Sequence, residues 1–309
     1  MHGFYVIGVF LMSPLTAQLM MKGYKLRKVF QCGLFFDGLC CAAYEFLKPF
    51  NDCGWLPVLR VFQAIGASLS LPGYFFILCV QFPNDISWLL PKIGCAYSLG
   101  MIAWSFSGGF LFGMQLLMFP FLCIGCCLML CSFWAPLALT AYRQHHDHLS
   151  GFLTFIGDIS LLTDLALMSS TMFVFTTNRL NMPHVLYKYC HLHVKTHELA
   201  TLSSPLNILA AAYWNQRLVK KRGSRGASIV GMGLLFIGTG LSTMLVGYKC
   251  SPLKITLLLL TGQIITSCGI GMTFISSFLH ALRYSTTGEI EHFPHILLSG
   301  LVCTALSLG

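Results

Sequence analysis

Charge is what this sequence has least of. Asp, Glu, Lys and Arg make up 9% of its 309 residues, where a soluble domain carries about 25%. That shortfall excludes an ordinary soluble domain. Acidic residues are scarcer still, 10 against 19 basic ones. The resulting charge of +9 is not the mark of a nucleic-acid surface, because the basic residues sit in short loops between hydrophobic runs. A basic n-region is also missing ahead of the first apolar run, residues 1–21, which continues into a charged loop. That run is therefore a first span rather than a signal peptide. Histidines deep in the apolar runs are lacking as well. All but His280 and His295 fall in loops or at helix ends, which weighs against a membrane enzyme built on them.

What remains is apolar. Hydrophobic residues are 56% of the chain, in runs of about 20 residues, each long enough to cross a hydrocarbon core about 30 Å thick. The pattern is all-α, a polytopic helical membrane protein of about ten transmembrane helices. The expected helices cover 3–21, 29–49, 56–81, 88–112, 115–140, 152–178, 198–216, 226–248, 255–282 and 292–308. Twelve Lys and Arg fall in the odd-numbered loops and six in the alternate ones. The positive-inside rule then places loops 22–28, 141–151 and 216–225 in the cytosol. A basic loop after the first helix, "KGYKLRKVF", is echoed after the seventh by "NQRLVKKRGSR". The echo points to two pseudo-repeated bundles, 1–140 and 152–309, with residues 141–151 as a cytosolic link, since parallel repeats recur in transporters. Fourteen cysteines lie mostly inside the runs, as in "CIGCCLMLC" (123–131), and read as small buried hydrophobes.

Three stretches carry a family resemblance. "RVFQAIG" keeps Arg60, Gln63 and Gly66 of the fourth-helix motif Arg-x-x-Gln-Gly-x-Gly, and Phe82-Pro83 closes the helix. "GMIAWSFSGG" keeps Gly100, Gly108 and Gly109 of the fifth-helix motif, with Trp104-Ser105 replacing its central Gly-Pro. "QLMMKGYKLRK" keeps the basic pair of the loop motif as Arg27 and Lys28, while its acid has become Lys22. "AAAYWNQR" stands at the second loop motif, with Asn215 in place of the acid. In this order and spacing, with "SSPL" at 203–206, the chain resembles the major facilitator superfamily from its second helix onward. It is closest in look to the vesicular amine and polyamine branch. The resemblance implies an incomplete major facilitator fold, with equivalents of the family's first and last helices outside this sequence. It also implies a transporter working by alternating access in a vesicle or plasma membrane, moving an amine-like organic cation against protons.

Residue roles follow. An arginine amid apolar residues normally faces a protein interior or wet cavity, and the resemblance assigns Arg60, with Gln63, to proton coupling. Glu45 is the partner expected for Arg60, because both lie four residues from facing helix ends and so at similar depth. Asp164 falls in mid-helix, on the equivalent of a cavity-lining helix, where a carboxylate holds a cation or a proton. Asp37 is similarly deep on an equivalent that the family places at the periphery. Arg27 and Lys28 would steady the cytosolic hinge. Gly66, Gly73, Gly100, Gly108 and Gly109 would allow close helix crossings. Two histidine clusters, His145, His146 and His148, and Cys190, His191, His193 and His197, lack the spacing a zinc site specifies. No metal and no cofactor are expected; membrane lipid, an organic cation and protons are the expected partners. The alternatives are a transporter-like shell that binds or regulates without transport and, more remotely, a histidine-based membrane enzyme.

Overall fold

A computed structural model describes residues 2–21, 26–47, 55–82, 85–113, 119–138, 159–190, 194–244, 252–287 and 299–303, and these are helical apart from Phe82 and Asp85. The helices are α1 (His2–Met21), α2 (Leu26–Leu47), α3 (Trp55–Gln81), α4 (Ile86–Gly113), α5 (Phe119–Ala138), α6 (Ile159–Cys190), α7 (Val194–Met244) and α8 (Pro252–Thr287), with a last helical stretch at 299–303. Lipid offers no hydrogen bonds, so a backbone crossing it must satisfy its own, and the α-helix does so within one segment. Pro14, Pro72 and Pro91 lie inside α1, α3 and α4, as membrane helices tolerate.

Among the described residues, Trp55–Leu78, Ile159–Asn178, Arg217–Thr243 and Leu257–Arg283 are long and apolar enough to cross a membrane, by length and composition. Phe4–Met20 and Phe119–Ala135 are shorter apolar helices. Large apolar side chains cover their outer surfaces: Phe236 is 80% exposed, Ile159 77% and Trp134 72%. Large apolar side chains left exposed mark an interaction surface, and here lipid is the solvent that makes the exposure favourable.

Helix ends depart from the sequence pattern in one consistent way. Hydropathy falls near residue 178, where a loop is expected, yet α6 runs on to Cys190. The basic stretch 217–222 is likewise helical rather than a loop, and α7 breaks only at Gly223 (φ 75, ψ 171). A fall in hydropathy marks the edge of the lipid, whereas Leu, Met, Lys and Arg are good helix formers and carry a helix beyond it. Arg27 and Lys28 belong to the first turn of α2, both exposed.

The chain groups into two compact units, residues 1–83, 111–165 and 282–308 in the first, and 84–110 and 166–281 in the second. In the first unit α2 packs on both α3 and α5, and α1 on α3. Ala17, Met20 and Phe76 form one apolar cluster, and Val9, Ala64 and Ala67 another, with Tyr5 against it. The α2–α5 crossing is nearly backbone on backbone, because a Cβ on Gly38 would stand 2.7 Å from the Gly125 carbonyl oxygen. Thr16 Oγ1 donates 2.8 Å to the Ser68 carbonyl, tying α1 to α3.

In the second unit, the part of α7 after Gly223 lies along α8. Gly231 faces Thr273, Gly238 faces Thr266, and Gly269 faces Leu235, the small-residue contact that draws membrane helices together. A hydroxyl pair joins them, Ser228 Oγ donating 3.0 Å to Ser276 Oγ. Thr266, Ser267, Thr273 and Ser276 are fully buried, and each hydroxyl donates to the carbonyl four residues earlier. Their polarity is thereby met inside the helix.

The cysteines divide. Cys40, Cys41 and Cys303 are buried, as expected, but Cys123, Cys126, Cys127 and Cys131 are exposed on α5. The reading of "CIGCCLMLC" as buried core is therefore corrected. A thiol is apolar enough for a lipid-facing surface as well as for a core, so composition does not choose between them.

Candidate functional site

In α2, Asp37, Cys41 and Tyr44 follow one another at four and three residues, and in α3 Arg60, Gln63 and Gly66 at three and three. Each set makes one stripe down its helix. The α2–α3 crossing sets the stripes face to face. A Cβ on Gly66 would stand 2.6 Å from the Asp37 backbone nitrogen, so the absence of a side chain at Gly66 brings the Asp37 backbone up against α3.

Around that contact the first unit holds its polar group. Arg60 Nη1 donates 2.9 Å to Gln63 Oε1, one turn further along α3. The Arg60 guanidinium also lies 4.6 Å from the centroid of the Tyr44 ring, a cation–π distance. Since Gln63 Oε1 accepts from Arg60, the Gln63 NH2 is the end that can donate, and Gln63 lies beside the Asp37 carboxyl. Asp37 Oδ1 is buried with no hydrogen-bond partner, and so is the Tyr44 hydroxyl. Tyr5 of α1 lies close to both Asp37 and Arg60, and Cys303 lies near Tyr5.

This group is a carboxyl, a guanidinium and an amide bridge in an apolar bundle. Arg60 supplies a fixed positive charge held by Gln63 and Tyr44. Asp37 supplies a carboxyl with one oxygen uncommitted. Buried acceptors are nearly always partnered, so an uncommitted carboxyl oxygen suits a proton or a donor group brought by a solute. Phenol hydroxyls at Tyr5 and Tyr44 add neutral donors and acceptors. Among the described residues, no group of three or more His, Cys, Asp or Glu could hold a metal ion.

Of the residues singled out in the sequence, Asp37, Arg60, Gln63 and Gly66 come together here. Asp164 is buried on α6. Glu45 lies on α2, but its side chain is outside the described residues; Gln63 and Tyr44 are the groups that meet the Arg60 guanidinium. Gly108 and Gly109 lie within α4, and Gly73 packs against Phe30. Gly100 is corrected: nothing stands within 4 Å of a Cβ placed there, so it makes no close crossing. His145, His146, His148, His191 and His193 lie outside the described residues, as do the side chains of Cys190 and His197.

Tyr5 and Tyr44 were missed in the sequence. Depth arithmetic from the helix ends selects Glu45 opposite Arg60, but neighbouring helix residues point about 100° apart, so depth without the crossing face cannot pick out Tyr44. Asn215, noted only as a replaced acid, is fully buried with both amide atoms unpartnered.

No family model matches the sequence, and no curated protein matches it. The structure nevertheless superposes on solved transporters over almost its whole length. It is similar to a bacterial homologue of the iron transporter ferroportin in an outward-facing state, with TM-score 0.67 and 15% identity over 98% of this chain and 78% of the other. It is also similar to the E. coli fucose:proton symporter FucP, with TM-score 0.64 and 13% identity over 99% of this chain and 87% of the other. For the nucleoside transporter NupG the values are 0.64 and 12%, over 99% and 77%. FucP is a major facilitator superfamily transporter, so the all-helical chain has the major facilitator fold. The solutes named for these structures are iron, fucose and nucleosides, and they lend no support to the vesicular amine branch.

Proposed function

We propose that this protein is a membrane transporter of the major facilitator type, moving a small organic cation by alternating access in exchange for protons. The observation that carries this reading is the buried, uncommitted Asp37 Oδ1 beside Gln63 and Arg60. A carboxyl so placed can take up a proton or an ammonium group, with the Arg60 guanidinium as the cation already beside it. Asp164, buried on α6, is the second negative charge for a cationic solute, and Glu45 a third acid on α2. In this reading residues 1–140 and 152–309 are the two rocking bundles joined by 141–151. Arg27 and Lys28 brace the cytosolic hinge, and Gly66, Gly100, Gly108 and Gly109 belong to the moving helices. The protein sits in a vesicle or plasma membrane with the basic segments in the cytosol.

The test is uptake of labelled organic amines into proteoliposomes under an imposed proton gradient, with fucose and nucleosides as comparison solutes. Gradient-dependent amine flux is expected in the native chain, and at least a tenfold loss in Asp37→Asn with folding retained. Flux of fucose or nucleosides alone would keep the carrier and overturn the cation. Folded protein with no flux of any solute would make it a transporter-like binding protein. Asp37→Asn with unchanged flux would remove Asp37 from the mechanism.

A further inference from the structure

The segment around Gly223 carries a charged surface apart from the polar group of α2 and α3. Arg217, Lys220, Lys221, Arg222 and Arg225 fall within nine residues and all are exposed. From Glu198 to Glu289 the chain contains no acidic residue, so nothing in α7 beyond residue 198, or in α8, neutralises them.

Their setting matters as much as their number. Ile229, four residues beyond Arg225, is 72% exposed, and four residues of helix advance about 6 Å. The cations therefore precede Ile229 by about one to three turns of helix. Two of them are oriented by neighbouring side chains. Arg217 Nη2 donates 2.8 Å to the Tyr213 hydroxyl and its guanidinium lies 5.0 Å from that ring centroid. Arg225 Nε donates 2.7 Å to His280 Nε2. Setting topology during insertion requires basic residues but no such orientation.

We propose that Lys220, Lys221 and Arg222, flanked by Arg217 and Arg225, form a docking surface for the phosphate headgroups of anionic phospholipids in the surrounding leaflet. The surface has the charge sign and the density that such headgroups require, since a cluster of four to eight basic residues beside a span is the pattern that gathers anionic lipid.

The test uses the full chain in detergent, titrated with short-chain fluorescent phosphatidylserine and, separately, phosphatidylcholine. Phosphatidylserine is expected to bind more tightly, and more weakly as salt rises. K220Q/K221Q/R222Q should weaken it on the order of a hundredfold, about fivefold per residue, with phosphatidylcholine binding unchanged. K221Q alone, with its roughly fivefold step, gives the same answer should the triple variant fail to fold. Equal binding of the two lipids, or variants that bind phosphatidylserine like the native chain, would overturn the proposal. Displacement of phosphatidylserine by millimolar inorganic phosphate would also overturn it, making this a site for a free anion.

Discussion

Gly66 and Asp37 meet at the α2–α3 crossing, where a Cβ on the glycine would stand 2.6 Å from the aspartate's backbone nitrogen and 2.9 Å from its Cα. Both atoms are backbone and neither can turn aside. The close approach places the Asp37 carboxyl beside Gln63, and through Gln63 beside Arg60. Packing and chemistry are thus joined at one residue.

Gly66→Ala is expected to push α2 from α3 and to cost about 1–3 kcal/mol of stability, the usual penalty of overpacking a close contact. Thermal unfolding of the purified protein in detergent measures it. Gly100→Ala is the control: nothing lies within 4 Å of its Cβ position, and alanine favours helix, so an unchanged or slightly raised midpoint is expected. Equal losses in the two variants would show that helix crossing is not what Gly66 serves.

Arg60→Lys keeps the charge but gives up the planar contact with Tyr44 and the geometry of the bond to Gln63. A loss of about 1 kcal/mol in folding is expected from the ring contact. Proteoliposome flux should fall by a larger factor than this stability loss explains, because an ammonium does not reproduce a guanidinium fork. Flux equal to that of the native chain would reduce Arg60 to a point charge.

Gly223 has φ 75 with open space around it. Gly223→Ala therefore meets no neighbour, and its cost is conformational only, about 1–3 kcal/mol for an alanine at φ 75, ψ 171, a region that is essentially glycine's alone. Gly223→Asn should recover none of this, because asparagine's tolerance is for the left-handed helical region and not for ψ 171. Unfolding midpoints check it: the two variants should fall together below the native chain.

Ser228→Ala removes the hydroxyl pair that joins α7 to α8 at Ser276. Interhelical hydrogen bonds in membranes average about 0.6 kcal/mol. A double-mutant cycle with Ser276→Ala should return a coupling of that size. The cost stays small because Ser276 can still donate to the Met272 carbonyl within its own helix.

The solvent in which this chain folds was readable from composition, since 9% charge cannot cover a water-facing surface. Half of the polar group was readable too, because Arg60, Gln63 and Gly66 lie on one stretch, "RVFQAIG", and helical spacing alone puts them on one stripe. The other half was not. Asp37 and Tyr44 come from α2 and Tyr5 from α1, and nothing local says which face of one helix meets which face of another. Helix ends at residues 178 and 216 were misplaced because hydropathy reports where lipid stops, and hydrogen bonding along the backbone does not stop there.

By itself, then, the sequence determined an all-helical membrane chain, its apolar segments and the residues able to carry charge within them, since these follow from transfer energies and the 3.6-residue turn. Only the tertiary structure decided which charges become neighbours, which cysteines face outward and which glycines are close contacts. Those outcomes depend on how helices cross, and a crossing is fixed by the joint shape of two surfaces that lie far apart in the chain.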